Sequence, residues 1–284
     1  MRCSLILLVA LASGCTANQL AATKTGYSNA EKTVANVLIT DQDEEALGLQ
    51  INQQLEKGSA EQPPLKYTTD AVVKGYVDGL VAKLSPHANK DRNSNWRIYV
   101  IDDPKTVNAF ATPGAHIYVY TGLLLAADSE AEVVGVLGHE MGHVVGRHSA
   151  RQMVNAVGLN AIASIVLGKE PGMVAQLAAA LVGNGTMLAH SRADENEADQ
   201  YAVHYSSAAG YDASGIASFF EKLNRNQGST PTVLTWLSTH PAPADRIVRV
   251  NKTITDLNLA GRGEVAAERL APIKQRIGSA VSAR

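Results

Sequence analysis

LGHEMGHVVGRH, residues 137–148, places three histidines and one glutamate in twelve positions. Ser129 with Glu132 three residues on is an S-x-x-E helix start, so the stretch reads as part of a helix running from there to about residue 154. Residues four apart on a helix are separated by about 400°, a net turn of about 40°. His139 and His143 therefore leave one face a turn apart, the spacing two ligands need to grip one zinc ion. Glu140 lies about 100° round from His139. It can lean over the open side of the metal without binding it, as suits a base acting on water there.

Such a site needs a third ligand. His148 resembles the last ligand of H-E-x-x-H-x-x-G-x-x-H, and Gly146 matches the glycine, but the histidine position falls on Ser149. On a continuous helix His148 is about 900° from His139. It leaves the opposite face and reads as a structural or surface histidine. SRADENEADQYA, residues 191–202, offers more. Glu195 and Asp199 are four apart and share a helix face, whereas Glu197 is about 200° from Glu195 and points away. A second helix packed across the first can present Glu195 as the third ligand. Asp199 can then accept the free ring N–H of a ligand histidine, fixing its tautomer. His190 and His204 flank this helix, and His204 reads as a packing histidine.

Outward from these two stretches, the pattern is mostly helical. Helices are expected over residues 30–57, 70–84, 194–209 and 214–226, with a polar loop over 86–95. WRIYVID (96–102) reads as a strand, and NAFATPGAHIYVYTG (108–122) as two short strands around Thr112-Pro113-Gly114. Residues 155–188 are rich in Ala, Gly, Val and Leu, divided by Lys169-Glu170-Pro171-Gly172, and each half is too short to span a bilayer. They form either a buried helical hairpin or a flap touching a membrane surface. The fold class is α+β, mainly helical, with a small edge-exposed sheet beside the helix that carries His139.

The start, MRCSLILLVALASGCTANQ, has one early basic residue, a short apolar run and small residues leading to Cys15. Ala12-Ser13-Gly14-Cys15 resembles a bacterial lipobox. Residues 1–14 are thus a lipoprotein-type signal peptide, 15–29 a tether lipidated at Cys15, and 30–284 one domain. The alternative is an ordinary signal with an incidental cysteine. Thr16, rather than Asp, after the cysteine favours the outer membrane of a Gram-negative bacterium, facing the periplasm. The other cysteine, Cys3, leaves with the signal, so no disulfide forms in the mature chain. The net charge of −2, without a basic stripe, excludes a nucleic-acid partner.

NAFATPG, IYVYTGLL, GHEMGHVVGRHSARQ, SRADENEADQYA and THPAPADRI, spread over residues 38–250, together resemble the zinc metallopeptidases of family 48. That family holds the HtpX-like, Oma-like and CAAX-prenyl endopeptidases, and the likeness is strongest to its small periplasmic members of the LoiP and BepA types. The resemblance implies a gluzincin-type domain in which His139, His143 and Glu195 hold one zinc ion, Glu140 is the general base and Asp199 stands behind His139. It implies hydrolysis of peptide bonds in unfolded or misassembled envelope proteins, with outer-membrane assembly or quality-control proteins as partners. Extended substrate can add as a strand to the sheet edge. Arg246 and His240 are candidate oxyanion donors. The BepA type gives His240 a second reading, a reversible fourth ligand that silences the enzyme. The other functional class is a latent or chaperone-like zinc-binding assembly module, against which an intact Glu140 argues.

Overall fold

Thr40 starts the first helix because its hydroxyl accepts the Asp43 N–H while the Asp43 carboxylate accepts the Thr40 N–H, a reciprocal capping box. The computed structural model describes residues 39–60, 62–182, 190–225, 240 and 243–282. The expected signal peptide, the tether and the first residues of the expected 30–57 helix lie outside them. Helix α1 (Asp41–Lys57) buries Leu47, Ile51 and Leu55. Helix α2 (Ala71–Asp91) is capped by Asp70, which accepts the N–H groups of Val72 and Val73.

Helix α2 continues through Pro86, where a polar loop is expected. Proline cannot bond the Ala82 carbonyl, but the Ser85 hydroxyl donates to that carbonyl at 3.4 Å. Leu84 and Ala88, buried on either side, hold the helix to the core.

Strands β1 (Arg97–Ile101), β2 (Ala109–Thr112) and β3 (His116–Tyr120) form a sheet in the order β1-β3-β2. The β1–β3 pairing is parallel and the β2–β3 pairing antiparallel. Alternation along the strands divides two cores. Ala109, Ala111, Ile117 and Val119 face one, and Phe110, Tyr118 and Tyr120 the other. On the aromatic side Tyr99, Tyr118 and Phe110 stack with centroids 4.8 and 4.5 Å apart. The Tyr118 hydroxyl donates to Asn52 of α1.

A short helix α3 (Thr121–Ala126) leads to α4 (Glu130–Val145). Helix α4 carries LGHEMGH and is buried almost throughout, packed against edge strand β2 and under α2. Its most extensive helical partner is α8 (Arg192–Ala208), which starts at Arg192, two residues before its expected start. Gly138 and Gly142 permit this contact. A Cβ at Gly142 would lie 2.9 Å from Tyr201 Cβ and 3.0 Å from Ala198 Cα, and one at Gly138 would lie 3.2 Å from Ala202 Cα. Backbone meets backbone there, and that brings α8 side chains within reach of α4 side chains.

The expected continuous helix to residue 154 is broken. It ends at Gly146; Arg147 adopts the left-handed conformation at φ 56°, and α5 (His148–Val157) sets off in a new direction. The Arg147 guanidinium holds the break by reaching the buried Glu44 carboxylate and the Ile39 carbonyl.

The apolar stretch expected as a hairpin over 155–188 forms two helices, α6 (Leu159–Val166) and α7 (Pro171–Val182), bent by 108°. It begins later than expected because residues up to Val157 complete α5, and residues 183–189 lie outside the described ones. Ile162, Ile165, Val174 and Leu177 pack with Leu47, Ile51 and Leu55 of α1. No single described helix is long and apolar enough to cross a membrane. Helices α9 (Gly215–Arg225), α10 (Pro243–Asp256) and α11 (Ala267–Ser282) close over α4 and α2.

Candidate metal centre

The α4–α8 crossing brings His139 and His143 face to face with Glu195 and Asp199. His139 Nε2 and His143 Nε2 are 2.9 Å apart. Glu195 Oε2 lies 3.6 Å from the first and Oε1 3.5 Å from the second. Ligand atoms of His139, His143, Glu195 and His240 all fall within 4.8 Å of one another, and all four residues are buried. Nitrogens about 2.0–2.1 Å from a tetrahedral zinc stand about 3.4 Å apart, so this spacing suits one cation. The donor set argues the same way. Among the described residues Glu195 Oε1 and Glu140 Oε1 accept no hydrogen bond. Buried acceptors of this kind call for a positive partner.

Asp199 Oδ1 lies 3.0 Å from His139 Nδ1. It can therefore accept the hydrogen bond of Nδ1–H, which leaves the Nε2 lone pair turned toward the cluster. Asp199 is itself clamped by Arg246, whose Nε donates to Oδ2 at 2.8 Å and Nη2 to Oδ1 at 2.6 Å. Arg246 Nη1 stands 2.5 Å from Glu195 Oε2. The guanidinium is fully buried and lies 4.2 Å over the Phe220 ring of α9. The structure thus sets Arg246 behind the carboxylates. His240 is on the other side, with Nε2 3.5 Å from Glu140 Oε1 and its ring 5.2 and 5.4 Å from those of His139 and His143.

Burial governs the titration of this cluster. It pushes His139 down to about 4 against the pull of Asp199, and drives His143 well below the usual imidazole range, helped by the surrounding histidines. Both rings are thus neutral, as ligands must be. Burial also raises Glu195 well above the carboxylate range and Glu140 to about 8, with Arg246 opposing both. For Asp199 burial pulls upward too, but the Arg246 charge and hydrogen bonds prevail and its pKa is lowered. A divalent cation held at the centre would oppose the upward shifts and favour the ionised form of both glutamates.

Two histidines behave differently from the sequence reading. His148 does not leave the opposite face. The break at Arg147 returns it to the cluster, where it is buried with Nδ1 2.8 Å from His143 Nδ1. His204, expected to pack inward, is exposed. His190 stacks on the His143 ring with centroids 3.8 Å apart, a role that spacing alone does not reveal. Gly146 was a visible stop signal for the helix. The tie that holds Arg147 left-handed comes from Glu44, about a hundred residues away, and no local pattern announces it.

Comparison with known proteins identifies the family. Residues 71–254, more than half of the chain, match the model of peptidase family M48. The metalloprotease LoiP of Escherichia coli K12 is 35% identical over 157 residues, covering 54% of this chain and 59% of that protein. The mitochondrial metalloendopeptidase OMA1 of Schizosaccharomyces pombe is 32% identical over 166 residues, 57% of this chain and 47% of that one. The beta-barrel assembly-enhancing protease of Escherichia coli K12 is 29% identical over 190 residues, 63% and 38% respectively. The chain thus spans less than two thirds of the length of each of these relatives. The matched region runs from α2 to the second-last helix and takes in every side chain of the buried cluster, and the chain belongs to peptidase family M48, with the fold of a metalloendopeptidase domain.

Proposed function

We propose that the chain is a zinc-dependent endopeptidase that cleaves extended polypeptide. The convergence of His139, His143 and Glu195, with Glu140 beside them, carries the reading. When bound, zinc polarises the scissile carbonyl and acidifies the attacking water, whose pKa falls from about 15.7 to about 7. His139 presents its Nε2 lone pair because Asp199 holds the His139 proton on Nδ1. Glu140 takes the proton of the attacking water and returns it to the leaving amine. The Ala111 N–H donates to Glu140 and fixes its carboxylate against β2. As the edge strand, β2 sets the direction in which an extended substrate is drawn past Glu140. Because Arg246 is held by Asp199 and Glu195, we assign it to stabilising their charge, and His240 remains the oxyanion donor.

The position of His240 also favours a second reading. It lies within the ligand-atom cluster and is itself buried, so in a resting state its ring can complete the metal shell and silence the site.

We further propose that the enzyme sits in the periplasm, held to the outer membrane by lipid at Cys15. Its substrates are then unfolded or misassembled envelope proteins, and outer-membrane assembly proteins are partners. A relative named for beta-barrel assembly and the LoiP likeness support an envelope setting.

Casein degradation by wild type and Glu140→Gln, with and without chelator, tests the enzymatic reading. Wild type should act only with metal, and the variant should lose about 10²-fold or more. Equal rates in both proteins reject proteolysis at this site and favour the chaperone-like module. His240→Ala should raise the rate if the ring is a plug; a large fall with metal retained assigns it to the oxyanion.

A further inference from the structure

We propose that His148 is a positioning residue that holds the ligand tautomer of His143 and links it to the acidic pair Asp194 and Glu197; the inference rests on the metal-centre reading above. His143 and His148 face each other through their Nδ1 atoms at 2.8 Å. Two ring nitrogens at that distance share one proton. His143 Nε2 is the atom turned toward His139 and Glu195, so it must keep its lone pair for the metal. The shared proton therefore belongs to His143 Nδ1 and is donated to His148 Nδ1. That leaves the His148 proton on Nε2, and Nε2 is the atom that faces Glu197 Oε2 at 3.4 Å and Asp194 Oδ1 at 3.6 Å. The assignment is forced from one end of the chain of rings to the other. His139 is backed by a carboxylate directly, and His143 through an intervening imidazole.

The surroundings are built to keep His148 in this place. The left-handed turn at Arg147 aims it back at α4. Gly146 leaves room for it, because a Cβ there would lie 2.3 Å from His148 Nε2. Arg151 Nη2 donates to Asp194 Oδ1 at 2.6 Å and orients that carboxylate. His148, Asp194 and Glu197 also present atoms within 4.8 Å of one another, as a metal site would. The Arg151 charge on Asp194 and the commitment of His148 Nδ1 to His143 argue for a hydrogen-bonded relay instead.

The experiment measures zinc affinity by competition with a chromophoric chelator, alongside zinc stoichiometry and the melting temperature of the metal-free protein. His148→Leu removes the acceptor and should weaken zinc binding about 10- to 100-fold, with the metal-free melting temperature little changed. In His148→Asn the amide oxygen replaces Nδ1 as acceptor and should restore most of the affinity. The zinc form of wild type should show a hydrogen-bonded Nδ1–H of His143 by imidazole NMR, absent in His148→Leu. Should His148→Leu fail to fold, Glu197→Gln, at the partly exposed end, should weaken binding in the same direction by a smaller factor. Unchanged affinity in these variants, or no rescue by asparagine, overturns the inference while leaving the zinc site standing. Two zinc ions per chain overturns it in favour of a second metal site. Wild type that binds no zinc removes the metal-centre reading and the inference with it.

Discussion

Arg246 shows how one buried side chain can decide whether a site exists. It is fully enclosed, lies over Phe220 and pairs with both Asp199 and Glu195. Removing one partner of such a group leaves uncompensated buried charge, at a cost of about 3–5 kcal/mol. Arg246→Leu should therefore lower the urea midpoint of the metal-free protein well beyond the loss of one apolar contact; a midpoint within error of wild type would show that water reaches the acids. His116 makes a contrasting case. It stacks on Tyr99, neither ring nitrogen has a hydrogen-bond partner among the described residues, and burial with Arg97 pushes it down to about 4 despite Glu45. The unfolded chain thus takes up this proton first. Its contribution to stability is complete above about 6.5 and drains away as pH falls toward 4. With chelator present, His116→Phe should flatten the loss of stability between pH 6.5 and 4, read from urea midpoints across that range.

At the scale of elements, the contact between α4 and α8 matters most, and it depends on absent side chains. A methyl at Gly142 meets both Tyr201 and Ala198. Gly142→Ala should destabilise the domain by about 1–3 kcal/mol and weaken metal binding as well, since Glu195 retreats with α8. Calorimetry and chelator competition on one sample check both effects. The convergence of these side chains was legible in the sequence because two i,i+4 pairs, His139 with His143 and Glu195 with Asp199, each declare a helix face. The end of α4 was not. Helical periodicity predicts rotation along a continuous axis, and it fails where a single left-handed residue changes the axis. His148 was misplaced for that reason alone. Pro86 misled in the opposite sense: its usual effect on a helix is offset by the hydroxyl of Ser85 and by apolar burial on both sides.

For the whole molecule, the centre joins parts that are distant in sequence. Its candidate ligand atoms come from α4 and α8, with His240 preceding α10. A bound ion therefore ties the core together and should raise the melting temperature. At a thousandfold excess of zinc over its dissociation constant the gain is about 4 kcal/mol, and chelation should reverse it. A scan with no shift on chelation would show that the ion is not held by the folded state. The small mixed sheet and the fold class were readable from the turn signals and the alternation of residues 96–122. The way the sheet divides two cores was not, because both of its faces are buried and neither shows the polar alternation of a solvent face.

The counter-charge for the two acids of α8 arrives late. Arg246 follows Asp199 by nearly fifty residues in the chain. A nascent polypeptide that stops short of α10 holds Glu195 and Asp199 without this guanidinium, so α8 is expected to resist seating in the core. Competence to hold an ion thus waits for the synthesis of α10.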